Sequence, residues 1–140
     1  MLVFPLSATP VVQWLMLTCP APAIARYLRS RVQTWWSLYA ALPYAGNDLT
    51  QCYGLSSSPN HDAAADSEIS ITSHEQMEAA TDPEASGWFG PGGLGDEIGD
   101  KCAGVYGPLH EDGADVFFKG HPYIVQEEWD NAVAGCVLSG

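Results

Sequence analysis

The sequence predicts an α+β domain: a central helix carrying His74 and Glu78, a Gly-rich acidic loop, and a C-terminal antiparallel hairpin. Three observations carry this. Residues 66–81 lack helix breakers and run between an N-cap candidate, Asp66 or Ser67, and Pro83, which closes the helix. Residues 85–95, ASGWFGPGGLG, are too rich in glycine for either regular element and lead into the acidic stretch 96–100. Asp115–Lys119 and Tyr123–Trp129 then read as two strands around a turn that starts at Lys119-Gly120. Along the second strand Tyr123, Val125 and Trp129 share one face, and Gln126 and Glu128 share the other.

Upstream, residues 26–42 (RYLRSRVQTWWSLYAAL) place Leu28, Val32, Trp35, Trp36 and Tyr39 at roughly helical spacing, so a helix ending at Pro43 is expected. Residues 44–65 read as a loop. A rival reading makes Glu68–Thr72 a short strand, since Ile69 and Ile71 alternate with polar residues; Ser73 would then cap a shorter helix, with Gln76 completing a capping box. Both readings leave His74 and Glu78 on one helix face.

With 140 residues and 46% hydrophobic content, the chain suits one small domain with its own core. Its charge is lopsided, at −12 overall. Residues 32–140 hold two lysines against seventeen carboxylates, a net −15. Such a surface repels phosphate backbones, which excludes nucleic acid as a partner and suits cation binding or solubility outside the cell.

Residues 1–25 carry no charge. They hold an apolar run from Val11 to Leu17 and end in a small-x-small pattern at Ala23 and Ala25. This reads as a poor secretory signal, lacking a positive n-region and broken by Pro5 and Pro10, or as a wrongly drawn start of the gene. A membrane span needs about 20 apolar residues, so anchoring is not expected. Four cysteines allow three pairings; Cys102–Cys136 is favoured because both adjoin segments expected to be ordered, and the partners of Cys19 and Cys52 stay open. No Cys-x-x-Cys pair exists for a cysteine metal site.

The chemistry concentrates at residues 74–82, HEQMEAATD. On a helix, His74 and Glu78 are four apart, the spacing at which two side chains can ligate one metal. Glu75 sits one step round, where a general base would stand. The pattern is the first half of a zinc-hydrolase helix, with Glu in place of the second His. A third ligand is sought in Glu97 or Asp100, 19 and 22 residues beyond Glu78; Asp82 is a further candidate. Zinc is the first expectation. Because carboxylates harden the donor set, calcium and manganese stay open. His61, His110 and His121 read as solvated loop or turn residues, and the aromatic residues of the second half as core. No Gly-x-Ser-x-Gly elbow or phosphate-binding loop is present.

In order along the chain stand PYAGNDLTQC (43–52), SPNHDAAADS (58–67), SHEQMEAATDP (73–83), GWF (87–89), GDEIGDKC (95–102) and GHPYIVQEEWDNAVAGC (120–136). Over these motifs residues 43–140 resemble a family of secreted microbial proteins related in pattern to the plant phosphate-induced (exordium-like) proteins. The resemblance implies an extracellular location, disulfide bonding and a zincin-like ancestry, with the helix part of a zincin-like fold. It carries over His74, Glu75 and Glu78 as the motif core, with Glu97 and Asp100 from the second motif. Residues 1–42 depart from the family's N-terminal pattern, so 43–140 is expected as a single family-like domain shortened at its N-terminal side.

Two functions follow as expectations. One is a secreted metal-dependent hydrolase, peptidase-like and monomeric, in which His74, Glu78 and Glu97 or Asp100 hold the metal and Glu75 activates water. Its partner would be a peptide or a cell-wall polymer. The other is a non-catalytic extracellular or cell-wall-associated protein using the same residues for a structural cation or a hydrogen-bond network.

Overall fold

The computed structural model describes residues 57–82, 86–93 and 95–138, with 44–47, 49 and 55 and the backbone of 30–32 and 35–37. Residues 1–25, and with them the signal-like segment and Cys19, lie outside the described residues, as does Cys52. The architecture is α+β. A long helix, α1, spans Ala63–Thr81; β1 (Ser30–Val32) and β2 (Trp35–Ser37) precede it, and β3 (Val116–Phe118), β4 (His121–Tyr123), β5 (Glu128–Asp130) and β6 (Gly135–Val137) form the C-terminal part. Among the described residues the strands pair as three separate antiparallel ribbons, β1–β2, β3–β4 and β5–β6. No described helix is long and apolar enough to cross a membrane.

The expected helix at 26–42 is not formed where the chain is described. β1 (Ser30–Val32) and β2 (Trp35–Ser37) pair instead, with Arg31 opposite Trp36 and Val32 opposite Trp35. Val32, Trp35 and Trp36 are β-branched or aromatic and favour a pleated ribbon over a helix. The apolar spacing that suggested a helix fits a hairpin equally well.

Helix α1 starts earlier than expected. Asp62 is the N-cap, in extended conformation, and its Oδ1 accepts from Ala65 N at 3.1 Å. Ala63, Ala64 and Ala65 then supply good helix formers, and the rival strand at 68–72 does not form. Asp66 has another task. Its buried carboxylate accepts from Ser58 Oγ (2.6 Å), Asn60 N (3.2 Å) and Asn60 Nδ2 (2.7 Å), drawing the 58–60 turn across the first helical turn. Asn60 Nδ2 also reaches Pro122 O in β4. At the other end Asp82 caps the helix, its N–H donating to Glu78 O and its Oδ1 accepting from Ser86 N and Gly87 N, each at 2.6 Å.

The face that α1 buries is polar: Ser67, Ser70, His74, Glu75 and Glu78 are inside, while Met77 is exposed. A helix held by an apolar stripe would show the reverse. The apolar core lies beside it, built from Ile98, Cys102, Ala114 and Ile124. A disulfide joins Cys102, in a short 3-10 turn (Asp100–Cys102), to Cys136 in β6. Closing a loop of sequence separation 34 stabilises the fold by about 3–4 kcal/mol through the unfolded chain.

The β3–β4 turn falls at Lys119-Gly120, both at positive φ (52° and 81°), as a two-residue hairpin requires. The second strand does not continue to Trp129 as expected. After Tyr123 the chain turns along the 98–106 segment: Tyr106 bridges Gln126, Glu127 N donates to Val105 O, and Trp129 N donates to Ile98 O at 3.0 Å. Glu128–Asp130 then pairs with β6.

Asp66 gives this part its test. Asp66→Ala leaves the donors of Ser58 and Asn60 without their acceptor, and a loss of about 2–3 kcal/mol is expected. A thermal melt of the variant should fall by on the order of 10 °C. An unchanged melting temperature would mean that the 58–60 turn does not depend on this carboxylate.

Candidate metal centre

Three segments meet at the inner face of α1. The helix brings His74, Glu75 and Glu78; the acidic loop brings Glu97, Gly99 and Asp100; the segment after β4 brings Gln126. One ligand atom each from His74, Glu78 and Asp100 lies within 4.8 Å of the others, a group that could hold a metal ion. His74 Nε2 stands 3.0 Å from Glu78 Oε1 and 3.8 Å from Asp100 Oδ1. The His74 and Glu78 side chains are only 4% and 1% exposed, whereas Asp100 keeps 17% of its surface. His74 Nε2 and Glu78 Oε2 are both buried and neither makes an aligned hydrogen bond.

The loop is fixed to the helix by its own backbone. Asp100 N donates to Glu78 Oε1 at 3.1 Å and Glu97 N to Asp100 Oδ2 at 3.3 Å. Gly99 makes the approach possible: a Cβ there would stand 2.7 Å from His74 Nδ1 and 3.0 Å from Glu78 Oε1.

Gln126 fixes the imidazole. Its Oε1 accepts from Gly104 N (3.1 Å) and its Nε2 donates to Gly99 O (2.7 Å), so the orientation of the amide is set by backbone at both ends. The remaining Nε2 hydrogen points at His74 Nδ1, 3.0 Å away. In the neutral ring Nδ1 is therefore the acceptor, and the ring proton sits on Nε2, facing Glu78 and Asp100.

The charges are coupled. Burial alone would lower the pKa of His74, but the short contact with Glu78 and its charge, then the charges of Glu75 and Glu128, raise it to about 9. Burial raises Glu75 to about 8; His74 opposes this, while Glu78, Asp100 and Glu97 add to it. Burial likewise raises Glu128 to about 7, with His74 opposing and Glu78 and Asp100 adding.

Of the residues singled out from sequence, the structure brings His74, Glu78 and Asp100 together. Glu97 is fully buried nearby but is not one of the convergent three, and Glu75 is buried beside them. Asp82 belongs to the helix cap and the 86–87 loop. Gln126 and Glu128 were legible only as the polar face of an expected strand. Their signal was the alternation itself, a glutamine and a glutamate on a face that the chain turns inward.

Comparison with known proteins adds a limited match. The chain is similar in part to a plant exordium-like protein. That protein, EXORDIUM-like 3 of Arabidopsis thaliana, is 36% identical over 86 aligned residues, covering 47% of this chain and 26% of the plant protein. The match therefore spans about a quarter of that relative's length. No protein-family model and no solved structure matches the chain.

Two tests follow from the geometry. His74, Glu75 and Glu128 all have folded pKa values above their ordinary ones, so the folded state holds more protons than the unfolded one as pH rises from about 4.5 to about 9. Stability must fall across that window. Without added metal, the protein should melt on the order of 10 °C lower at pH 9 than at pH 5.5, and a flat or rising profile in calorimetry would contradict the burial of these acids. Gly99→Ala should displace the His74 ring and cost about 1–3 kcal/mol; a variant as stable as the wild type would show that the loop does not pack against His74.

Proposed function

We propose that this protein is an extracellular divalent-cation-binding protein in which His74, Glu78 and Asp100 hold the ion and tie helix α1 to the 95–102 loop. The observation that carries this reading is the convergence of three donor side chains, His74, Glu78 and Asp100, with Glu78 Oε2 buried there without a hydrogen bond. Buried polar atoms are normally satisfied, and a cation would satisfy this one. One nitrogen and two carboxylates suit zinc, and also manganese or calcium. The disulfide and the partial likeness to an exordium-like protein support the extracellular setting.

A second reading, a metal-dependent hydrolase acting on peptides or a cell-wall polymer, is favoured by two features. The convergent group has three protein donors, the number that leaves one coordination position for water in catalytic zinc sites. Glu75 lies next to His74 on the helix, where it would serve as the base.

Metal analysis of the purified protein tests the first reading, and one bound ion per chain is expected. Chelation should lower the melting temperature by about 10 °C, the effect of removing a ligand present at roughly 100 times its Kd. A metal-free protein indifferent to chelator and to added Zn²⁺, Mn²⁺ and Ca²⁺ would refute it. Glu75→Gln separates the two readings. If the protein is a hydrolase, the variant keeps its metal and loses at least 100-fold in turnover, the scale of a lost general base. Peptide or polysaccharide turnover unaltered by that change would remove Glu75 from the chemistry.

A further inference from the structure

Met77 on α1, Trp88 on the glycine-rich loop, and Trp129 and Leu138 in the C-terminal part wall a groove of about 640 Å³, within the roughly 300–1,000 Å³ that ligand pockets span. Met77 and Leu138 are exposed, so apolar surface lies open to water there. His74, Glu78 and Asp100 do not line it. The groove is a place apart from the candidate metal centre.

The charge of its lining has one sign. Glu128 and Asp130, the two ends of β5, both line the groove, and among the described residues no lysine, arginine or histidine does. Asp130 Oδ1 accepts from Ala132 N at 2.6 Å, which fixes that carboxylate in place. Both Glu128 oxygens are buried in the wall without a hydrogen-bond partner, so no donor matches its charge. The Lys101 ammonium lies outside the lining, 4.7 Å from the Trp129 ring centroid, and is paired with Asp96 at 3.2 Å. The Trp129 indole thus already accepts one cation on its face. Two donors of the lining are spent inside the protein: Trp129 Nε1 serves Asn131 Oδ1, and the Thr81 hydroxyl serves Met77 O. Negative charge set among apolar walls focuses its field into the cleft and draws cations to it.

We propose that this groove binds a peptide segment in which an apolar residue stands next to an arginine or lysine. The apolar side chain lies against Met77, Trp88 and Leu138, and the cationic group stands beside the carboxylates of β5. The net charge of −12 draws the same ligand from a distance. A neutral sugar would also stack on the indole rings, but it would gain nothing from this charge. The surface goes beyond the cation reading above and does not depend on a bound ion.

The test is isothermal titration of the full chain at pH 8, above the value of about 7 to which burial raises Glu128. The probes are the capped peptide Gly-Leu-Arg-Gly, the same peptide with citrulline in place of arginine, and cellohexaose. The arginine peptide should bind saturably, and the citrulline peptide about 10-fold more weakly or less well still, since a charge-assisted contact is lost. Asp130→Asn, which keeps an oxygen for Ala132 N, should cost the arginine peptide about 10-fold and leave the citrulline peptide unchanged. In the wild type the arginine peptide should also shift the indole N–H resonances of Trp88 and Trp129, a readout that needs no variant to fold. Equal affinity for the two peptides, binding of cellohexaose alone, or no binding of the arginine peptide overturns the proposal. So does wild-type affinity for that peptide in folded Asp130→Asn, or binding that leaves both indole resonances in place.

Discussion

The site depends on the primary amide of Gln126, because that group joins the C-terminal segment to both the helix and the loop. Its oxygen takes the Gly104 N–H, and its nitrogen serves Gly99 O and His74 Nδ1. Buried at 8% exposure, the amide has no water to fall back on, so its three bonds specify one arrangement of helix, loop and C-terminal segment. It also decides the imidazole tautomer. With Nδ1 accepting, the proton on Nε2 occupies the place where a cation would sit, so ion binding must displace a proton and is opposed by acid. A ligating neutral imidazole carries its proton on Nδ1, so the arrival of a cation also requires the amide and the ring to readjust their shared contact.

The buried acids sort by what satisfies them. Asp66 has three N–H or O–H donors on its two oxygens, Asp82 has two backbone N–H groups on one oxygen, and Asp115 accepts from Val125 N. These carboxylates organise loops, and their charge is matched by donors whose positions the backbone fixes. Asp82 and Asp115 each keep a second oxygen buried without a hydrogen bond, and so does Glu78, whose Oε1 takes the Asp100 N–H while Oε2 is left inside. Glu128 has neither oxygen satisfied. Unsatisfied acids concentrated around one histidine are costly to fold. What sets this place apart from Asp82 and Asp115 is the convergence of His74, Glu78 and Asp100 on one point, and that convergence, not one unbonded oxygen, argues for a ligand here.

The helix was legible because its residues carry start and stop chemistry, though Asp62, not Asp66, is the cap. The sequence offers an Asp at both positions, and only the alanine run after Asp62 favours the earlier one. His74, Glu78 and Asp100 were legible by helical spacing and by the density of acids at 96–100, and the Cys102–Cys136 bond by the order expected around both residues. The β1–β2 ribbon was not, since Val32, Trp35 and Trp36 satisfy a helical and a hairpin pattern alike. Gln126 was hidden for a different reason. Alternation marks which residues share a face, but not whether that face meets water, and burial of 124–128 arises from the bridge to Tyr106 and the bonds to Val105 and Ile98, contacts remote in sequence.

The loop that carries Asp100 is closed on the helix at both ends by bonds that need no ion. It leaves under Asp82, whose Oδ1 holds Ser86 and Gly87, while Trp88 N returns to Thr81 O. It folds on itself where Asp96 takes the N–H of Gly92 and the Lys101 ammonium, and Gly90 N donates to Asp96 O. It arrives back one turn up the helix, where Asp100 N meets Glu78 Oε1. Lys101, the residue after Asp100, is also held over the Trp129 ring, next to Glu128 in β5. The loop that carries Asp100 is thus positioned by ordinary backbone and side-chain contacts that need no ligand. A loop prepared in this way would lose little conformational freedom on binding an ion, leaving the His74 ring and its amide partner as the groups that readjust.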